Sequence, residues 1–108
     1  MYQIARDVLY QFDYRIPEDV NIAEFVKKNL NIIEQLSNDI MIVLSKNGQI
    51  FELNVTSSII FKDIVEGVTK TETVKKICNL FIVEKEKVQI DYDFCCNYLL
   101  ENKILLRM

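Results

Sequence analysis

The chain has 108 residues, 50% hydrophobic and 27% charged, with a formal net charge of −3; these are the proportions of one soluble globular domain with a single core. It holds no histidine, two glycines and three cysteines, so it lacks the commonest general base and zinc ligand and has no material for a phosphate-cradling loop. The acidic balance supplies no positive field for nucleic acid or anionic lipid, and the apolar runs Ile40 to Leu44 and Ile104 to Leu106 are far shorter than the ~20 residues of a membrane-spanning helix.

Asp7 interrupts the N-terminus before an apolar stretch of signal-peptide length builds up, so a cytoplasmic location is expected. Cys78, Cys95 and Cys96 are odd in number and without CxxC spacing, which fits buried reduced thiols better than a zinc site or a disulfide framework. No metal site and no cofactor is expected. The basic pairs Lys27-Lys28 and Lys75-Lys76 read as solvated faces of amphipathic elements.

In chain order, Val8, Tyr10, Phe12, Tyr14 and Ile16 alternate with Leu9, Gln11, Asp13 and Arg15, the two-residue period of a half-buried strand. Pro17 ends it, and Asp19 is expected to cap a short helix carrying Ile22, Phe25 and Val26. Leu30 to Leu36, Ile40 to Ser45 and Gln49 to Leu53 then read as three short strands. Ser37-Asn38-Asp39 and Lys46-Asn47-Gly48 separate them by turns so tight that an antiparallel meander is implied. Asn47-Gly48 is a hairpin signal, since both residue types tolerate positive backbone angles.

After Asn54 the period becomes helical. Thr56 is expected to cap a helix with Ile60, Phe61, Ile64 and Val65, stopped at Gly67. Thr71 or Thr73 is expected to cap a second, carrying Val74, Ile77, Cys78 and Phe81. A third is expected from Asp91 to Asn102, with Tyr92, Cys95, Cys96 and Leu99 as its core stripe and Ile104 to Leu106 extended beyond it. No repeat or low-complexity tract divides the chain. The expected fold is α+β and winged helix-turn-helix-like: a three-stranded antiparallel meander followed by three helices, with an extra N-terminal strand.

Phe51-Glu52-Leu53-Asn54-Val55-Thr56, leading through Ile60-Phe61 to Glu66-Gly67, resembles the PqqD-like pattern of an aromatic-x-Leu-Asn-x-Thr strand exit before a helix closed by an acidic-Gly pair. The resemblance continues through Thr73-Val74, Ile77, Val83, Val88, Asp91-Tyr92, Cys95-Cys96, Leu99 and Ile104-Leu105, and so covers residues 30–108. Lys103 stands where the family keeps Gly, Cys95-Cys96 stands where it keeps Phe-Leu, and the helix after Thr56 is a residue longer than usual. Residues 1–29 are an N-terminal extension about which the resemblance says nothing.

The family consists of recognition elements for ribosomally synthesised peptide natural products. What the resemblance implies is a non-catalytic domain that grips the leader segment of a precursor peptide and presents it to a modifying enzyme, often a radical SAM protein. The edge of the last meander strand, Gln49, Ile50, Phe51, Glu52 and Leu53, is a template for an incoming extended peptide. If the core stripe of the last helix faces inward, Phe94, Asn97, Tyr98 and Glu101 lie on its other sides, and Phe94 and Tyr98 wall a groove with that edge. The alternative is that both aromatics pack under the N-terminal strand. Asp91 and Asn54 have sufficient structural roles as helix cap and turn former.

The apolar face of the N-terminal strand needs a cover, supplied by the meander, by a second copy in a homodimer, or by the groove itself as a self-inhibiting arm. A winged-helix DNA-binding regulator is disfavoured, because Asp91, Asp93 and Glu101 on the last expected helix repel a duplex. A vicinal thiol nucleophile at Cys95-Cys96 conflicts with the core stripe. A generic protein-interaction module using the same edge is the remaining alternative.

Overall fold

The computed structural model describes residues 2–6, 8–12, 16, 21–29, 39–44 and 48–108. In chain order they form β1 (Tyr2–Ile4), β2 (Leu9–Phe12), α1 (Ile22–Lys28), β3 (Asp39–Leu44), β4 (Ile50–Asn54), α2 (Val55–Val65), α3 (Lys70–Phe81), α4 (Lys85–Glu101) and β5 (Leu105–Arg107). The architecture is α+β and winged-helix-like, a small antiparallel sheet packed against consecutive helices.

The main sheet has the order β2-β3-β4. Leu9 pairs with Leu44 and Phe12 with Met41, while Leu44 pairs on its other side with Ile50 and Val43 with Phe51. The β3–β4 hairpin expected from Asn47-Gly48 is present. Asn47 itself lies outside the described residues, but Gly48 adopts φ +81°, the conformation for which a glycine is suited.

The expected first meander strand, Leu30 to Leu36, lies outside the described residues. The strand paired with β3 opposite β4 is instead β2, so the strand expected as an addition is one of the sheet's three members. Its inner face is covered within the chain. Val8 and Phe12 are buried, and the Tyr10 ring meets Phe61 of α2 edge-on at 5.1 Å. One buried cluster takes in Ala5, Val8, Phe12, Ile16, Ile22 and Val26 together with residues of α2, α3 and α4, so it spans both sides of residue 29.

A second ladder joins the chain's ends, with β1 antiparallel to β5 through Tyr2↔Arg107 and Ile4↔Leu105. The extended segment after Lys103 is thus a strand, and its partner is one that the sequence did not announce.

Each helix begins earlier than, or is capped differently from, its expectation. Asn21 caps α1, where Asp19 was expected; its Oδ1 accepts from the Glu24 amide at 3.2 Å. Asn54, two residues before Thr56, caps α2 and accepts from the Ser57 amide at 2.8 Å. Thr69, rather than Thr71 or Thr73, caps α3 and accepts from the Glu72 amide at 3.3 Å. Asn and Thr oxygens reach the orphan amides of a first turn from these positions.

α4 begins at Lys85, so Asp91 stands in mid-helix and is no cap. The physical reason is Val88, whose burial extends the stripe of Tyr92, Cys95, Cys96 and Leu99 back by a turn. The stop at Gly67 is as expected: Gly67 N–H donates to the Ile64 carbonyl and Val68 N–H to that of Asp63, at 3.1 and 2.9 Å, closing a Schellman motif on a glycine at φ +81°.

Candidate functional site

β4 is the outer strand of its sheet, and among the described residues no strand lies on its far side. In an antiparallel ladder, alternate residues of such a strand aim N–H and C=O away from the neighbour. The strand's two faces differ. Phe51 is half-buried and Leu53 is 3% exposed on the inner face, whereas Ile50 and Glu52 are exposed on the outer one. The buried Ser58 hydroxyl donates to the Leu53 carbonyl at 3.2 Å and fixes the strand's exit against α2.

α4 supplies the second wall. Its core stripe turns the opposite side to solvent, where Phe94 is 74%, Ile90 68% and Tyr98 40% exposed. The Tyr98 ring meets Phe51 edge-on, with centroids 6.0 Å apart and planes at 86°, a favourable aromatic geometry. That contact ties the β4 edge to the helix face bearing Phe94. The alternative placement, with both aromatics under the N-terminal strand, is excluded: β2 sits at the opposite edge of the sheet and Phe94 is largely solvated.

The other expected site residues divide. Gln49, Ile50 and Glu52 are exposed at or before the edge, and Glu101 is exposed one turn beyond Tyr98. Leu53 has its side chain in the core, so only its backbone belongs to the surface. Asn97 is exposed, ~100° round α4 from Tyr98 and nearly in line with Ile90 two turns before it. Two residues escaped the sequence reading. Ile90 is one turn before Phe94 on the exposed crest, and its i, i+4 spacing to Phe94 was the available signal. Asp91, read as a cap, is exposed on the flank that carries Tyr98.

Electrostatically the surface is acidic. Glu52, Asp91 and Glu101 are exposed beside it against one lysine of the same helix face, Lys87. None of these four makes an ion pair among the described residues; the ion pairs are Lys62–Glu66, Lys70–Asp93 and Lys76–Asp63. Lys76 is therefore no idle surface charge. Its Nζ lies 2.9 Å from the buried Asp63 Oδ2, which also accepts from the Thr73 hydroxyl at 2.8 Å, and the network pins α2 to α3.

Cys95 and Cys96 are buried, while Cys78, expected to be buried with them, is only partly so. Burial pushes Cys95 up to about 12 and Cys96 up to about 11, which leaves both protonated at neutral pH. Burial likewise raises the Tyr92 phenol well above its usual range. Among the described residues no group of three or more acidic or cysteine side chains comes together as a metal site, and no helix is long and apolar enough to cross a membrane.

No protein-family model matches the chain, and no curated protein matches it in sequence. Among solved structures, TbiB1 in complex with the TbiA(β) leader peptide superposes with a TM-score of 0.68 at 18% identity, over 98% of this chain and 96% of that one. At that identity the likeness establishes a shared fold along nearly the whole chain.

Proposed function

We propose that this chain is a non-catalytic recognition element that takes up the leader segment of a ribosomally made precursor peptide. The leader adds as a strand to the edge of β4 and lays alternate side chains against Phe51, Tyr98 and Phe94. The chain then presents the precursor to a separate modifying enzyme, the expected setting being the cytoplasm.

The observation that carries this reading is the Phe51–Tyr98 contact, which makes one continuous surface of an edge strand and an exposed aromatic helix face. Backbone pairing supplies affinity at such an edge, and the side-chain surface beside it supplies selection. That a protein of the same fold was solved with a leader peptide supports the choice of ligand. The resemblance of residues 30–108 to the PqqD-like family supports it independently.

Duplex DNA is the poorer ligand. α4 adds Lys85 and Lys87 to the helix expected from sequence, yet still carries Glu86, Asp91, Asp93 and Glu101 among its exposed residues, carboxylates that repel phosphates on every exposed side.

The test is calorimetric titration of the chain with synthetic leaders from short reading frames beside its gene. Saturable one-to-one binding is expected, and a folded chain that takes up none of them contradicts the proposal.

A further inference from the structure

Among the described residues the carboxylates beside the β4–α4 surface make no ion pair, and their placement bears on which peptides it accepts. Resting on the reading of β4 as the docking edge, we infer that the groove selects an extended peptide in which a lysine or arginine stands between two apolar residues.

The argument follows from strand alternation. A peptide paired with β4 places the residues opposite Phe51 and Leu53 on the inner face, toward α4, and the residue opposite Glu52 on the outer face. The inner pair meets the apolar surface of Phe51, Tyr98 and Phe94. The middle residue stands across from Glu52, which is exposed and without an ion-pair partner among the described residues. Opposite charges directly across a ladder attract and like charges repel, so a cation fits there and a carboxylate does not.

The surroundings act in the same direction. Asp91 precedes Phe94 by three residues and Glu101 follows Tyr98 by three, which puts a carboxylate one turn beyond each end of the aromatic pair, ~15 Å apart along the axis. Lys87 is the one cation sharing this helix face, a turn beyond Asp91. An extended peptide covers that span with about five residues. A peptide with carboxylates flanking its apolar positions would set like charge against Asp91 and Glu101 at once.

The experiment is selection of a displayed library of random 12-residue peptides on the full chain, in parallel with the Phe94→Ala/Tyr98→Ala double variant and with Glu52→Lys. Peptides retained by the native chain and lost on the double variant are expected to show an apolar-basic-apolar triplet. On Glu52→Lys the middle position is expected to switch to Asp or Glu. Resynthesised peptides with Lys or Glu in the middle should differ about three- to thirtyfold in affinity for the native chain, and the difference should shrink as salt rises from about 50 to 500 mM.

Groove-dependent peptides without a charge preference at the middle position, or with one that Glu52→Lys leaves in place, overturn the inference while the groove remains. No peptide held better by the native chain than by the double variant overturns the groove and the inference together.

Discussion

Tyr98 on α4 stands edge-on to Phe51 on β4, 6.0 Å between ring centroids, and this one contact makes the outer strand and the helix face neighbours. Phe94, a turn before Tyr98, is three-quarters solvated and adds little to the fold. Phe94→Ala should therefore leave the denaturation midpoint nearly unchanged, whereas Tyr98→Ala should cost about 0.5–1.5 kcal/mol through the lost ring pair. The double variant, still folded by circular dichroism, should bind leader peptide about tenfold more weakly or worse, as loss of an aromatic anchor does. Calorimetry with the same peptide measures this, and unchanged affinity would remove both rings from the site.

Asp63 is buried and holds Lys76 and Thr73 across the α2–α3 interface. Asp63→Ala strands a half-buried ammonium and an unpaired hydroxyl, and should cost about 2–3 kcal/mol, the lower side of what breaking a buried pair costs because Lys76 keeps some solvent. Adding Lys76→Met to that variant should recover part of the loss. Urea denaturation of both variants gives the comparison.

The thiols set an alkaline limit. Folding raises Cys95 and Cys96 from an ordinary value near 9 to about 12 and about 11, chiefly by burial. A group raised in the folded state contributes stability that is fully present below its unfolded pKa and is lost as pH climbs through the folded one. The thermal midpoint should hold up to about pH 9 and fall between about 9 and 12, and Cys95→Ala/Cys96→Ala should blunt the fall. Maleimide at pH 7 should modify neither residue in the native chain and both once it is unfolded.

Removal of residues 1–16 should unfold the chain. It takes away β1, the partner of β5, and β2, the third strand of the main sheet. It also strips Ala5, Val8, Phe12 and Ile16 from the core, a loss of several kcal/mol by the cost of core truncations. A detachable arm would instead leave the melting transition in place.

Local signals carried much of this architecture. The alternation from Val8 to Ile16 and the stripe of Tyr92, Cys95, Cys96 and Leu99 each write a period into neighbouring residues; β2 realises the first over Leu9–Phe12, with residues 13–15 outside the described residues, α4 realises the second, and the hairpin signalled by Asn47-Gly48 pairs β3 with β4. Helix starts were less legible. Asn54 read as a turn former, and Thr71 and Thr73, nearer the apolar stripe of α3, stood in for Thr69, its actual cap. The spacing Thr69-x-x-Glu72 was the clue to the one chosen.

The β1–β5 ladder was not legible at all, because strands of three residues carry no measurable period and its partners stand at opposite ends of the chain. The site lay between these cases. Phe94 and Tyr98 could be placed off the core stripe by spacing alone. That Tyr98 reaches Phe51, and that Leu53 turns inward, depends on how α2 and α4 pack beside β4, which is a property of packing rather than of any local window.

The central claim is that an extended leader lies along β4 beneath the aromatic face of α4, and chemical-shift mapping of the ¹⁵N-labelled chain during titration with a synthetic leader peptide tests it most directly. Saturating shifts are expected in the amides of Ile50 to Asn54 and of Phe94 to Glu101, with β2 at the other edge undisturbed. Shifts centred on Leu9 to Phe12, or none at all in a folded chain, would contradict it.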